Sequence, residues 1–244
     1  MDQELITLQR AGPIAVIRLN NPPLNLQTLA LIGRLEQIVL ELEVDETVRV
    51  AILTGSGGGV FCAGSDIKEF PALKDNFIEA KIRRENAVFD RLERLSKPTV
   101  SAIDGKALGG GCEVTLCCDF RVLDQSAAMG FPEVFLGGFP GSGGIARLSR
   151  LVGVSRAAEL MSTGEILPAP QALALGLVNR VAPQGKALET AMEMAGRMAA
   201  YPTSLLRAIK KGVLETRAMS SPEAIETSIG LYEKLILAGQ ENLR

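Results

Sequence analysis

The sequence predicts an α/β body followed by a helical C-terminal part. Two observations carry that reading. Short β-branched runs alternate with segments of helical period through the first half of the chain, a pattern that pairs strands in parallel through β–α–β crossovers. After about Pro140 the apolar period becomes predominantly helical, with no low-complexity linker between the two parts and no internal repeat of solenoid length.

Residues 14–19 are a β-branched run between Gly12-Pro13 and Asn20-Asn21-Pro22-Pro23, which predicts a strand ending in a loop. Across 26–42, Leu29, Ile32, Leu35, Val39 and Leu42 recur at helical spacing. Residues 48–53 form a compact apolar strand that Thr54 and the glycines of 55–59 terminate. Residues 77–95 predict an amphipathic helix that stops before Pro98. A third strand over 99–103 is broken by Gly105, glycines 109–111 open a helix running through Leu116, and 120–123 is a fourth strand. Helices are then expected over 144–151, 156–161, 170–175, 185–200, 202–219 and 222–237.

Composition excludes several classes of function. The 244 residues are 47% apolar and 22% charged, enough for one large domain or two small ones without disulfide or metal staples. A net charge of −2, two tyrosines and no tryptophan leave no basic, aromatic-lined groove for nucleic acid. No apolar run approaches a membrane-spanning length. Residues 1–10 have neither the apolar core of a secretory signal nor the acid-poor character of a transit peptide. Cys62, Cys112, Cys117 and Cys118 fit no CxxC pattern, and the adjacent pair reads as buried thiols in a reducing cytoplasm. Most decisive is the absence of histidine, which removes Ser–His–Asp and Cys–His hydrolysis and the usual histidine-bearing metal sites. Acid–base chemistry must then come from carboxylates, lysine, tyrosine or cysteine.

Three glycine-rich segments follow strands. In Gly55-Ser56-Gly57-Gly58-Gly59-Val60, Gly55 and Gly57 fit a dinucleotide fingerprint but Val60 stands where it needs its third glycine, which favours a plain turn over a nucleotide cradle. Gly109-Gly110-Gly111 lets backbone N–H groups approach a ligand at a helix start. Glu113 falls in the first turn of that helix, where an acid that merely complements the helix dipole is the plain alternative. Glu133, between Pro132 and the apolar Val134-Phe135, sits in a partly dry setting that raises a carboxyl pKa; an exposed loop acid is the alternative there.

Together these segments resemble the crotonase (enoyl-CoA hydratase/isomerase) family. Phe61-Cys62-Ala63-Gly64-Ser65-Asp66-Ile67-Lys68-Glu69 is similar to its first oxyanion-loop signature, and Ile103-Asp104-Gly105-Lys106-Ala107-Leu108-Gly109-Gly110-Gly111-Cys112-Glu113 to its second. Phe131-Pro132-Glu133 with Leu136-Gly137-Gly138-Phe139-Pro140-Gly141-Ser142-Gly143-Gly144 is similar to the third block, in the same order and spacing. The resemblance covers roughly residues 14–238.

The resemblance implies a ClpP-like spiral of ββα repeats, with an active-site core over 1–190 and a helical C-terminal trimerisation region over 191–244. It implies that the backbone N–H groups of Ser65 and Gly110 form an oxyanion hole, with no catalytic role for the Ser65 hydroxyl. Glu113 would activate water and Glu133 would deliver the α-proton. Ala63, Ser65, Asp66, Ile67, Lys68 and Gly110 would contact a CoA thioester, Lys68 near its phosphates or simply solvated. No metal or separate cofactor is implied, since CoA is part of the substrate. The implied activity is hydration of a trans-2-enoyl-CoA. Isomerisation, carnitinyl-CoA-type dehydration, decarboxylation and a non-catalytic binding scaffold are the alternatives. A cytoplasmic homotrimer or homohexamer follows, without nucleic-acid or membrane partners. Within the C-terminal part, Ile225, Ile229, Tyr232, Leu235 and Ile236 share a helical stripe that needs either a partner surface or an intramolecular core. Phe131 stands where hydratases often carry a polar residue, which implies a more apolar pocket beside Glu133, and residues 70–76 are expected to set pocket depth. The sequence stops at Asn242-Leu243-Arg244, short of the terminal helix with which many members continue, as a truncated chain or a compact member would.

Overall fold

The structure, a computed structural model, describes residues 4–241. The chain opens with a hairpin of β1 (Ile6–Ala11) and β2 (Ile14–Leu19), followed by helix α1 (Leu29–Val44). Thr28 caps α1 by accepting from the Leu31 N–H at 3.1 Å. Leu31, Ile32, Leu35, Ile38, Val39 and Leu42 turn its apolar stripe into the core.

Three turns of a spiral follow, each beginning with two consecutive strands. The pairs are β3 (Val50–Thr54) with β4 (Val60–Cys62), β5 (Thr99–Ile103) with β6 (Lys106–Leu108), and β7 (Phe120–Asp124) with β8 (Ala128–Gly130). The first strand of each pair joins one sheet and the second joins another. Among the described residues, the first sheet runs β1-β2-β3-β5-β7-β10 and the second β4-β6-β8-β9, with β9 at Ile166–Pro168 and β10 at Arg180–Ala182. Short helix α2 (Phe70–Leu73) and α3 (Arg84–Arg94) lie between the first and second pairs, and α4 (Gly110–Thr115) between the second and third. Helices α5 (Gly144–Val152), α6 (Val154–Thr163), α7 (Ala169–Ala174), α8 (Ala187–Ala199), α9 (Thr203–Thr216) and α10 (Ser221–Glu241) complete the chain.

The expected strands over 14–19 and 99–103 are found with the same limits. Uniform parallel pairing is not found: β1–β2 and β8–β9 are antiparallel, while β2-β3-β5-β7-β10 and β4-β6-β8 are parallel. A tight Gly12-Pro13 turn closes the hairpin, so β1 needs no crossover. The helix expected over 77–95 begins as a π-helical segment, Ile78–Arg83, before continuing as α3. This wider turn carries the long Lys81 side chain inward, where it is buried. Residues 70–76 form α2 and a 3-10 turn, anchored by an edge-on Phe70–Phe77 contact with ring centroids 4.8 Å apart.

One face of the larger sheet covers the main core with α1 and α3. The other packs Ile14, Val16, Val50, Ile52, Val100 and Val122 against α8. Ala187, Ala191, Ala195 and Ala199 recur every fourth residue along α8, so its buried face is a smooth methyl ridge that approaches the sheet closely. Residue 190, the expected division, falls inside this helix. The following α10 packs on α9, yet Ile225, Ile229, Tyr232 and Ile236 stay exposed and Leu235 is half-buried. An intramolecular core therefore does not account for that stripe.

Because the α8 ridge has no spare volume, Ala191→Leu is expected to lower stability by about 1–3 kcal/mol, read as a lower urea midpoint. An unchanged midpoint would show that the helix floats off the sheet rather than packing into it.

Candidate active site

The second sheet builds the site. Its strands β4, β6 and β8 are adjacent and parallel, and each is only three residues long. Ser65, Gly110 and Glu133 lie just past their respective C-terminal ends, so three segments remote in sequence leave the sheet side by side. The carboxyl ends of parallel strands are where α/β folds gather ligand-binding loops.

The first of these loops is held from several sides. Asn25 donates its side-chain amide to the Phe61 carbonyl at 3.0 Å, and the Ala63 N–H donates to the Leu24 carbonyl at 3.0 Å. Glu69 reaches back to accept the Leu29 N–H at 2.9 Å, tying the loop to the start of α1. Gln27 N–H donates to Gly64 O at 2.9 Å and Asp66 N–H to Gln27 O at 3.2 Å, forming a parallel bridge between Gln27 and Ser65. In such a bridge the bonds belong to the neighbours of Ser65, so its own N–H points away from Gln27. Asp66 spends its carboxylate on the Lys68 N–H, while Ile67 and Lys68 are exposed and Ala63 is half-buried.

The second loop lies against the first. Gly64 has φ +96°, and a methyl group on it would meet Leu108 O at 3.0 Å and Gly110 N at 3.3 Å. A side chain there would be strained and would cover the Gly110 donor. On Gly110 itself a methyl group would fall 2.3 Å from Gln27 Oε1 and 3.5 Å from Ser65 Oγ. Gln27 also donates its side-chain amide to Gly110 O at 2.9 Å. Gly110 N–H, at the first position of α4, has no helical partner. The structure thus brings Ser65 and Gly110 together with both main-chain donors available to an oxygen.

Glu113 does not cap its own helix. Its side chain is buried, and Oε1 accepts the N–H groups of Ser142 and Gly144, both at 2.8 Å, at the start of α5. Burial nonetheless dominates and pushes its pKa from the ordinary 4.5 to about 8. The Gly144 bond opposes that rise, the negative charges of Glu133 and Glu85 add to it, and the Ser142 bond opposes it more weakly. Glu133 heads a 3-10 turn, Pro132–Leu136, with both carboxylate oxygens buried and unpartnered among the described residues. Its Oε1 would lie 3.2 Å from a methyl group on Gly109, beside the Gly110 donor, and burial raises its pKa. Phe131, just before it, is buried in the main core.

Four residues of this site were not singled out from the sequence: Gln27, Lys81, Glu85 and Ser142. Lys81 and Glu85, four apart in a segment that reads as an amphipathic helix, have the spacing of an ordinary solvated helix pair. All four cysteines are free and buried, with burial raising each thiol's pKa. Among the described residues no His/Cys/Asp/Glu cluster suits a metal ion, and no helix is long and apolar enough to cross a membrane.

The sequence model of the enoyl-CoA hydratase/isomerase family matches residues 9–241. The chain belongs to that family. Among its relatives, a short-chain-enoyl-CoA hydratase of Clostridium acetobutylicum is 38% identical over 87% of this chain and 82% of its own length. A crotonyl-CoA hydratase of Syntrophomonas wolfei is 38% identical over 81% of this chain and 76% of its own. The crystal structure of an enoyl-CoA hydratase from Bacillus anthracis superposes with a TM-score of 0.92 at 34% identity, covering 96% of this chain and 91% of that one. The two-sheet core with its C-terminal helices is therefore the crotonase fold.

Glu113 has a testable effect on stability in this crotonase scaffold. Its proton is lost near pH 4.5 in the unfolded chain but held to about pH 8 in the fold. Between those limits the native state binds the extra proton, so its contribution to stability falls as pH rises. Glu113→Gln keeps the acceptor and removes the titration. The variant's stability advantage is expected to grow from pH 5 to pH 8 and to exceed about 1 kcal/mol at the upper end. A flat or reversed pH dependence in paired denaturation curves would contradict the buried, protonated assignment.

Proposed function

We propose that this enzyme adds water across the double bond of a trans-2-enoyl-CoA, with Glu113 and Glu133 as its acid–base pair. The observation that carries the reading is the juxtaposition of two unpaired backbone donors with two buried carboxylates from adjacent strand ends. The N–H groups of Ser65 and Gly110 would hold the thioester oxygen and bind it more tightly as it becomes an enolate. Fixed main-chain donors also explain why serine at residue 65 is compatible with the chemistry. The carboxylates work as a pair: ionised Glu113 takes a proton from water attacking the β-carbon, and protonated Glu133 gives one to the α-carbon. That step leaves the proton on Glu113, the side chain that keeps it at neutral pH when the site is empty. Before the next hydration the proton passes from Glu113 back to Glu133. The names of the hydratase relatives support the same reaction class.

The CoA portion would run along Ala63, Ser65, Asp66, Ile67 and Lys68, with exposed Lys68 beside its phosphates. No metal or further cofactor enters the scheme. The exposed apolar stripe on α10, and Phe135, Leu136 and Phe139 just beyond Glu133, favour a homotrimer or homohexamer that covers them.

Crotonyl-CoA absorbance should fall on incubation with the wild type, because hydration removes the conjugated enone. Glu113→Gln and Glu133→Gln are each expected to slow that loss by ~10²–10⁴. An unchanged band in a wild type that binds CoA thioesters would overturn short-chain hydration. For assembly, light scattering coupled to size exclusion should give three or six copies, and Ile229→Lys should lower that number; a monomeric wild type would refute the interface.

A further inference from the structure

A buried polar chain runs behind the site and reaches the Gln27–Ser65 bridge, Gly110 and Glu113. Lys81 and Glu85, both about 1% exposed, pair at 3.0 Å through Nζ and Oε1. The same Nζ donates to the Gln27 carbonyl at 3.0 Å, the carbonyl that also accepts Asp66 N–H beside Ser65. Glu85 Oε2 accepts the Ser142 hydroxyl at 2.6 Å, a short charge-assisted bond. Ser142 N–H in turn holds Glu113 Oε1 at 2.8 Å. Gln27 closes the path by donating its side-chain amide to Gly110 O.

We propose that Lys81, Glu85 and Ser142 are positioning residues that set the Glu113 carboxylate and the oxyanion donors in register with each other. None of the three touches the reacting atoms. Their effect passes through Gln27 on one side and the Ser142 backbone on the other. The network crosses three otherwise separate segments: the loop before α1, the π-helical turn, and the glycine-rich start of α5. Among the described residues the Lys81–Glu85 pair is hydrogen-bonded to both of the other segments, through the Gln27 carbonyl and the Ser142 hydroxyl, so it ties the three together. The π-helical turn supports the assignment independently, because that local widening delivers Lys81 to the Gln27 carbonyl instead of to solvent.

A purely stabilising role predicts something different. A buried ion pair gains little over apolar residues of similar volume, whereas misplacing a reacting group by about 1 Å costs on the order of 10²-fold in rate. Removing the network should therefore cost turnover before it costs folding.

The proposal rests on the hydratase reading, so the test has one arm that needs no turnover. Wild type, Ser142→Ala and Lys81→Met/Glu85→Gln are compared in crotonyl-CoA hydration and in the red shift of bound cinnamoyl-CoA, which reports polarisation of the thioester carbonyl. The double variant removes both charges together and leaves no unpaired buried ion. Ser142→Ala is expected to lower kcat ~10-fold with KM nearly unchanged and to keep the red shift, because only the Glu113 side of the network is released. The double variant is expected to lose part of the red shift as well, through the lost Gln27 contact. Wild-type kcat in Ser142→Ala, or a full red shift in a folded double variant, overturns the proposal. So does a loss of every signal in proportion to a lower melting temperature. If Ser142→Ala does not fold, the double variant decides. If the wild type shifts cinnamoyl-CoA but does not hydrate crotonyl-CoA, the hydratase reading fails while the red-shift comparison still tests the network.

Discussion

Keeping two carboxylates out of water, close enough to feel one another, is the constraint around which the rest of the site is arranged. Neither Glu113 nor Glu133 is paired with a cation in the way that Glu93 is paired with Arg147 and Arg217 elsewhere in the protein. Glu113 instead receives two backbone N–H groups, and Glu133 receives no partner among the described residues. A guanidinium beside either would pull its pKa down and leave it ionised, able to accept a proton but not to donate one. A dry carboxyl whose pKa is raised can do both, the property on which the proposed proton transfer draws in a chain without histidine.

Such a site needs a rigid frame, and the smaller sheet provides it with little material. The three strands are short, and β4 pairs with β6 through a one-residue register shift between Val60 and Cys62, which helps set the direction in which the first loop leaves the sheet. The close backbone contacts at Gly64 and Gly110 lock the first two loops together, and Glu133 rests against Gly109 from the third. The larger sheet works differently. Its central strands are buried on both faces, between the α1–α3 side and the alanine ridge of α8, and it supplies bulk stability remote from the chemistry.

How far the sequence discloses this arrangement follows from the size of each element. Strands over 14–19 and 99–103 are legible because runs of four and five β-branched or small residues stand between turn formers. The strands β4, β6 and β8 are not, since three residues carry no period; they read only as the edges of glycine loops, although they form the sheet that carries the site. The spiral's repeats are equally hidden, because their opening strands begin at Val50, Thr99 and Phe120 and so share no common spacing. Ser65, Gly110, Glu113 and Glu133 were visible through their motif context, and the structure gathers them. Gln27, Lys81, Glu85 and Ser142 were not, because side chains that meet across three segments leave no mark in any one of them. The exposed stripe of α10 was visible as a stripe, but its exposure could be read only once α9 was seen to cover a different face.

The buried Lys81–Glu85 pair is the feature that stability alone explains least well. Desolvating an ammonium and a carboxylate costs several kcal/mol apiece, and their attraction recovers that only when further hydrogen bonds satisfy the remaining valences. Here those further bonds go to the Gln27 carbonyl and the Ser142 hydroxyl, each one residue-length away from a working part of the site. An apolar pair of similar volume would fill the same space and fold as well, but it would have no directional hold on either neighbour. Hydrophobic contacts tolerate small slides, whereas a hydrogen bond to a charge weakens steeply with distance and angle. Precision of placement, more than net stability, is what a buried ionic centre can contribute to a site whose proposed chemistry needs two carboxyls and two N–H groups to meet one small substrate.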